Sequence, residues 1–141
     1  MIILDTSGLL AAIDSAQTNH REAAEVLRAA GHPRSLSPFV LAELDHLLTT
    51  RVSAAAARRV LVEVAGGVYQ LEPFGSDDVA QALEVLDRYA GLNLGIADAS
   101  LVVLADRHGA RDILTLDERH FRTLRDAHGR AFRILPADAL A

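Results

Sequence analysis

Cysteine, lysine and tryptophan are all absent from the 141 residues of this chain. Without cysteine there is no disulfide framework and no zinc site built on thiolates, and the composition suits a reducing compartment. No apolar run approaches the roughly 18 residues that a transmembrane helix requires. Asp5 interrupts the apolar start of the chain, which also lacks the basic segment of a signal peptide. We therefore expect a cytoplasmic protein that does not enter a membrane.

All 14 basic residues are arginine, and they are unevenly distributed. Residues 1–106 contain 7 arginines and 14 acidic residues, a net charge of −7, whereas residues 107–141 contain 7 arginines and 5 acidic residues, a net charge of +2. Exclusive use of arginine fits either coding bias in a GC-rich genome or recognition of phosphate by bidentate guanidinium groups. The net charge of −5 argues against a general nucleic-acid coat. A basic C-terminal third beside an acidic body could nevertheless hold a polyanion next to a metal site.

Short apolar strands alternate with helical segments along the whole chain. The predicted strands are residues 1–4, 35–36, 68–74, 112–116 and 132–135. The predicted helices are residues 7–14, 19–30, 38–50, 54–65, 76–90, 97–108 and 118–125. This alternation is typical of an α/β fold in which helices cover both faces of a parallel sheet. Because no linker or repeat interrupts the pattern, residues 1–141 are predicted to form a single domain.

Four carboxylates occupy positions that favour chemistry at one edge of this sheet. Asp5 ends the first strand, Asp117 follows the strand ILTL, and Glu43 and Asp98 lie near the starts of two largely apolar helices. The carboxyl ends of parallel strands form the usual site edge of such sheets. Gathered carboxylates repel one another unless a hard cation such as Mg²⁺ or Mn²⁺ compensates them. Taken singly, Asp98 and Asp117 could only cap helices, and Glu43 could be a surface acid.

Four segments containing these acids resemble the acidic motifs of PIN-domain ribonucleases. They are MIILDTSGLLAAID, SPFVLAELDHLL, LGIADASLVVLA and ILTLDERHF, and they occur in the family's order over essentially the whole chain. More narrowly, the sequence resembles VapC-type toxins of toxin–antitoxin pairs. The resemblance implies a three-layer α/β/α domain with a mainly parallel sheet and Mg²⁺- or Mn²⁺-dependent endoribonuclease activity. It also implies a homodimer that a VapB-type antitoxin neutralises.

The resemblance also implies roles for the four acids. Asp5 and Asp98 are the expected main metal ligands, and Asp117 is a third ligand that acts directly or through water. Glu43 is expected to contact the metal through water or to hold the attacking water. A water nucleophile would leave 5′-phosphate and 3′-hydroxyl ends on the RNA.

Polar residues beside the acids complete the expected site. Thr6 and Thr115 are adjacent to acids and are candidates for supporting contacts. Some PIN nucleases have a further acid just before the motif that contains Asp98. Asn93 and Gly95 occupy that region in this chain, so a complete second metal site is not expected.

Three arginines follow Asp117 at helical spacing and could guide the RNA backbone toward the acids. They are Arg119, Arg122 and Arg125, and the alternative is a solvated helix face. His120 is interpreted as a surface histidine of the same helix. His46 is expected to point away from Glu43 on its own helix. With only four Phe and two Tyr, no aromatic platform for base stacking is predicted.

Other readings of the pattern lead to different functions. A PIN nuclease of RNA maturation is possible, although no accessory domain is apparent. A PIN fold retained only for protein contacts is a second alternative, which the presence of all four acids disfavours. A phosphotransferase of the haloacid-dehalogenase type would need a second aspartate where Ser7 stands. No residue pattern in the sequence distinguishes tRNA from the sarcin–ricin loop of ribosomal RNA as the substrate.

Overall fold

The computed structural model describes residues 1–139, in which five short strands alternate with seven α-helices. The strands are β1 (Ile2–Leu4), β2 (Arg34–Leu36), β3 (Gln70–Leu71), β4 (Asp112–Leu114) and β5 (Arg133–Leu135). The helices are α1 (Thr6–Ile13), α2 (His20–Ala29), α3 (Pro38–Arg51), α4 (Ala54–Ala65), α5 (Ser76–Arg88), α6 (Ile96–His108) and α7 (Glu118–Thr123). None of these helices is long and apolar enough to span a membrane.

The strands form one sheet in the order β3-β2-β1-β4-β5, and every neighbouring pair is parallel. The central strand β1 is buried along its whole length, which explains its uninterrupted apolar sequence. Its neighbours β2 and β4 end at the same edge of the sheet. The predicted α/β fold with a parallel sheet between helical layers is confirmed.

Helix α6 is the most buried helix, because every residue from Ala99 to Ala105 is at most 3% exposed. Its one polar residue in that stretch, Ser100, lies 2.8 Å from the hydroxyl of Ser37 and donates a hydrogen bond to the carbonyl of Ala97. Ser37 is the N-cap of α3, and its side chain accepts a hydrogen bond from the amide of Phe39. This buried contact fixes the starts of α3 and α6 at one edge of the sheet.

Three predicted elements are shorter than the sequence pattern suggested. Of the strand predicted over 68–74, only Gln70–Leu71 pairs, because this is an edge strand and Pro73 lacks an amide donor. The strand predicted over 112–116 ends at Leu114, and the amides of Leu116 and Asp117 bond to side-chain hydroxyls instead of a neighbouring strand. The helix predicted over 118–125 ends at Thr123. The capping box expected at the start of α2 does not form, since the Asn19 side chain makes no capping bond.

Helix α1 lies unusually close to β4 at Gly8. A β-carbon at this position would overlap the carbonyl of Leu114 and come within 2.7 Å of the backbone nitrogen of Thr115. Only glycine therefore allows α1 to pack at this distance from the strand. Because α1 follows directly from Asp5, the same close approach holds the ends of β1 and β4 together.

Candidate active site

A cleft of about 490 Å³ opens at the carboxyl edge of the sheet, and all four predicted acids line it. Helices α1, α3 and α6 and the loop after β4 form its walls. The other residues that line it are Thr6, Ser7, Leu10, Gln17, His46, Leu47, Arg51 and Leu116. A larger cavity of about 540 Å³ between α5 and α6 contains none of the four acids. The topology thus brings together residues that are more than 100 positions apart in the sequence.

Asp5 is the most buried of the four acids, with only 6% of its surface exposed. Its Oδ2 atom accepts hydrogen bonds from the hydroxyl of Thr115 at 2.6 Å and from that of Ser7 at 3.1 Å. Burial raises the pKa of Asp5 to about 6, and the nearby charge of Asp98 adds to this effect against the opposing hydrogen bonds. The site therefore contains a carboxylate whose charge the surrounding protein compensates poorly.

Two hydroxyl groups connect the end of β1 to the loop after β4. Ser7 accepts a hydrogen bond from the amide of Leu116 at 3.0 Å, and Thr115 accepts one from the amide of Asp117 at 2.9 Å. The two hydroxyl oxygens are 3.2 Å apart. Thr115, predicted as a supporting residue, contacts Asp5 directly. Ser7 was not among the predicted site residues, although its place two positions after Asp5 is consistent with such a contact.

Glu43 reaches the cleft from α3, where Thr6 holds it. The Thr6 hydroxyl donates a hydrogen bond of 2.7 Å to Oε1 of Glu43. Thr6 is the first residue of α1, so this contact fixes the carboxylate of α3 relative to the residue that follows Asp5. Thr6 therefore orients a second acid of the site.

Asp98 and Asp117 cap helices and also face the cleft. Asp98 accepts a hydrogen bond from the amide of Gly95 at 3.4 Å, and Asp117 accepts one from the amide of His120 at 3.1 Å. Partial burial raises the pKa of Asp98, and the charges of Asp117 and Glu43 act in the same direction. The capping role and the site role, which the sequence left as alternatives, are therefore compatible.

The prediction of a surface position for His120 is wrong. Only 13% of its side chain is exposed, and Nδ1 lies 2.9 Å from Oδ2 of Asp117 and 4.0 Å from Oδ2 of Asp98. Both ring nitrogens are buried, and neither has a partner with hydrogen-bonding geometry among residues 1–139. His120 follows Asp117 by three residues, and this spacing places both side chains on one face of α7. That spacing was the available sequence signal.

Two of the three arginines expected to guide RNA are engaged within the protein. Arg122 forms ion pairs of 2.8 Å with both Glu118 and Asp138. Arg125 follows α7, and its guanidinium donates hydrogen bonds to backbone carbonyls at the end of that helix, including that of Leu124 at 2.9 Å. Arg119 is exposed. The three side chains therefore do not form a continuous free cationic face.

The expected orientation of His46 is also wrong, because it lines the same cleft as Glu43. A spacing of three residues keeps two side chains on neighbouring parts of one helical face. Arg51, which the sequence analysis did not select, lines the cleft from the last turn of α3. The α3 wall thus carries both an acid and basic side chains.

The oxygen donors of the cleft fit a hard divalent cation. Within residues 1–139, no arginine lies within salt-bridge distance of the four carboxylates, which have only His120 nearby. No three His, Cys, Asp or Glu side chains in this part of the chain are already gathered as a protein-only ligand set. Mg²⁺ commonly binds through one or two carboxylates and retains several waters. The donor set is therefore sufficient for Mg²⁺ or a similar ion.

Comparison with known proteins agrees with the fold and the site. The sequence matches the PIN domain family over residues 2–140. It is 44% identical over 135 residues to Ribonuclease VapC26 of Mycobacterium tuberculosis, covering 96% of this chain and all of that protein. The family match spans all four acidic positions.

Solved structures of similar fold come from several bacteria. VapC20 of Mycobacterium tuberculosis, described as a sarcin–ricin loop cleaving toxin, superposes with a TM-score of 0.78 at 24% identity, covering 84% of this chain and 92% of that one. A toxin–antitoxin complex from Klebsiella pneumoniae superposes with a TM-score of 0.68 at 18% identity, covering 88% of this chain and 92% of that chain. At these identities the likeness concerns the fold. Together with the sequence matches, it places this chain in the PIN-domain family, among the VapC-type ribonucleases.

Proposed function

We propose that this protein is a divalent-metal-dependent endoribonuclease and the toxin of a VapBC-type toxin–antitoxin pair. The observation that carries the proposal is the convergence of four carboxylates in one cleft, one of them buried with its charge poorly compensated. The high identity to Ribonuclease VapC26 supports ribonuclease chemistry in particular. The substrate would be a specific structured RNA, tRNA or ribosomal RNA, whose cleavage inhibits translation.

The four carboxylates would hold a Mg²⁺ or Mn²⁺ ion, with Asp5 and Asp98 as the main ligands. Asp117 and Glu43 would contribute directly or through water. Such an ion would activate water for attack and stabilise the charge that develops on a phosphate. Thr115 and Ser7 keep Oδ2 of Asp5 oriented through their hydrogen bonds, and this fixes one ligand before the ion binds.

The remaining chemistry belongs to side chains of this protein. Thr6 orients the carboxylate of Glu43, which would accept a proton from an attacking water. Hydrolysis by water leaves a 5′-phosphate and a 3′-hydroxyl group. Arg119, two residues after Asp117, is exposed and would contact the RNA backbone. Arg122 and Arg125 could do so only by giving up their present contacts.

We further propose that a VapB-type antitoxin neutralises the protein and that the toxin forms a homodimer. The similarity to toxin–antitoxin complexes, including a DNA-bound VapBC from Salmonella typhimurium, supports such a partner. Residues 1–141 would act as a single PIN domain in the cytoplasm, where the proposed RNA substrates are found.

Incubation of the purified protein with total cellular RNA tests the function. We expect Mg²⁺ or Mn²⁺ to permit cleavage of a few discrete RNAs, and EDTA or the substitution Asp98→Asn to prevent it. Asp87→Asn on α5, outside the cleft, is the matched control and should cleave normally. Products with 2′,3′-cyclic phosphate ends would contradict the mechanism. Absence of cleavage by a folded protein that binds no metal would contradict the function.

Thr115→Val is expected to weaken divalent-cation binding by roughly 10- to 100-fold, the usual effect of removing a residue that orients a metal ligand. The hydroxyl of Thr115 lowers the pKa of Asp5, so its loss lets protons compete better for this carboxylate. Titration calorimetry with Mn²⁺ measures the effect. Thr123→Val, an equivalent change on the exposed face of α7, is the control. Equal Mn²⁺ affinity of the two variants would exclude this role for Thr115.

A further inference from the structure

The α3 wall of the cleft has a basic side chain that the proposed chemistry does not use. Arg51 lines the cleft together with the four acids. It is exposed, and its guanidinium has no hydrogen-bond or ion-pair partner among residues 1–139. This contrasts with Arg122, whose guanidinium is bound by two carboxylates. Arg51 is thus available to a ligand in the cleft.

The position of Arg51 relative to Glu43 follows from helix geometry. Eight residues at about 1.5 Å each place its Cα roughly 12 Å farther along α3. Side chains on a helix lean toward its N-terminus, which in α3 is the end nearer the acids. The guanidinium therefore extends from the far end of α3 back toward the carboxylates, in the same cleft. It can reach a group next to the one that the acids engage.

RNA requires a contact of this kind, because the floor of the cleft is acidic. A polyanion gains affinity from arginines that bind its phosphates, and a guanidinium can do so with two parallel hydrogen bonds. In the described part of the chain, the cleft-lining residues include no other arginine. His46, one turn after Glu43, adds a second hydrogen-bonding side chain to the same wall.

We propose that Arg51 binds an RNA phosphate that flanks the scissile one and so sets the path of the RNA strand along α3. The inference rests on the proposed ribonuclease function and names a substrate contact of that site. A basic residue in the last turn of a helix also interacts favourably with the helix dipole, which is the structural alternative for Arg51. Arg28 also lies in the last turn of its helix, α2, and it is exposed and outside the cleft, so it separates the two roles.

The salt dependence of RNA binding tests the proposal. Arg51→Gln and Arg28→Gln are each introduced beside Asp98→Asn, so that the RNA stays intact. Fluorescence anisotropy then follows a labelled single-stranded RNA of mixed sequence at several NaCl concentrations. We expect Arg51→Gln to weaken binding about tenfold at low salt and to reduce the slope of log K against log salt by about 0.7, the effect of one lost phosphate contact. Arg28→Gln should change neither quantity, and Arg51→Lys should retain the slope.

Equal slopes for the Arg51 and Arg28 variants would overturn the proposal, as would a failure of the RNA to bind at all. Unchanged RNA binding together with weaker binding of a VapB-type antitoxin would also overturn it, by assigning Arg51 to the protein partner. Thermal melting of both variants separates a dipole effect, which should be equal in the two, from a substrate contact. These measurements need neither metal nor cleavage. Failure of the ribonuclease function would therefore appear separately, as cellular RNA that the unsubstituted protein leaves uncut, while the effect of Arg51 on binding stays intact.

Discussion

Asp5→Asn is expected to stabilise the metal-free protein while abolishing RNA cleavage. Burial raises the pKa of Asp5 from 3.8 to about 6, so the ionised carboxylate is less favourable in the folded protein than in the unfolded chain. At about 1.4 kcal/mol per pKa unit, this corresponds to a free-energy cost of roughly 3 kcal/mol at neutral pH. Asparagine has nearly the same shape and no charge to bury. We therefore expect a gain of about 2–3 kcal/mol in the free energy of unfolding at pH 7.5 in EDTA.

The pH dependence provides a second signature of the same carboxylate. Between about pH 4 and pH 6 the folded protein holds a proton on Asp5 that the unfolded chain has released. The contribution of Asp5 to stability is therefore most favourable below pH 4, falls as the pH rises to about 6, and is constant above that. Urea unfolding at a series of pH values should show this fall in the unsubstituted protein, and Asp5→Asn should lack it.

Two comparisons make the Asp5 experiment decisive. Asp14 is half-buried, and its pKa is lowered by hydrogen bonds from the amide of Ala16 and from Gln17. It should show the opposite sign, so Asp14→Asn should not stabilise the protein above pH 5. Added Mn²⁺ should raise the melting temperature of the unsubstituted protein but have little effect on Asp5→Asn. If Asp5→Asn instead lowers stability in EDTA, Asp5 is a structural residue and not a carboxylate kept for ion binding.

The four acids could be predicted from sequence because their position depends on simple geometry. In a parallel sheet the strand ends meet at one edge, so Asp5 and Asp117 had to lie near each other once the strands were identified. The helix that starts at Ser37 could be located in the same way, from a strong N-cap followed by proline. The α/β class follows from the alternation of strands and helices, whereas the order of the strands in the sheet does not.

The positions of the side chains that the sequence pattern did not indicate depend on how their helices pack in the folded protein. His120 is buried beside Asp117 because α7 is short and packs against the sheet edge. Its spacing of three residues from Asp117 indicates a shared helix face but not this burial. Arg51 reaches the cleft only because α3 extends along it. Arg122 is removed from the expected RNA path by Asp138, which lies 16 positions away. Such pairings require the tertiary structure.

Gly8→Ala is expected to unfold or strongly destabilise the protein, although it adds a single methyl group. That group would collide with backbone atoms of Leu114 and Thr115, which cannot move aside as a flexible side chain could. Overpacking of this kind typically costs about 1–3 kcal/mol and sometimes more. Relief of the clash requires α1 to move away from β4, and this would stretch the hydrogen bonds that join Asp5 to Thr115 and Ser7 to Leu116. The variant should therefore lose metal affinity in addition to stability.

Gly31→Ala is the matched control for this close approach. A β-carbon at Gly31 would meet no atom within 4 Å, so the same substitution should leave stability unchanged or raise it slightly by restricting the unfolded chain. Urea unfolding compares the two variants, and Mn²⁺ titration of the folded fraction measures the site. A Gly8→Ala protein as stable as Gly31→Ala would show that α1 can shift without cost. If that protein also bound Mn²⁺ normally, the spacing between α1 and β4 would not be what positions Asp5.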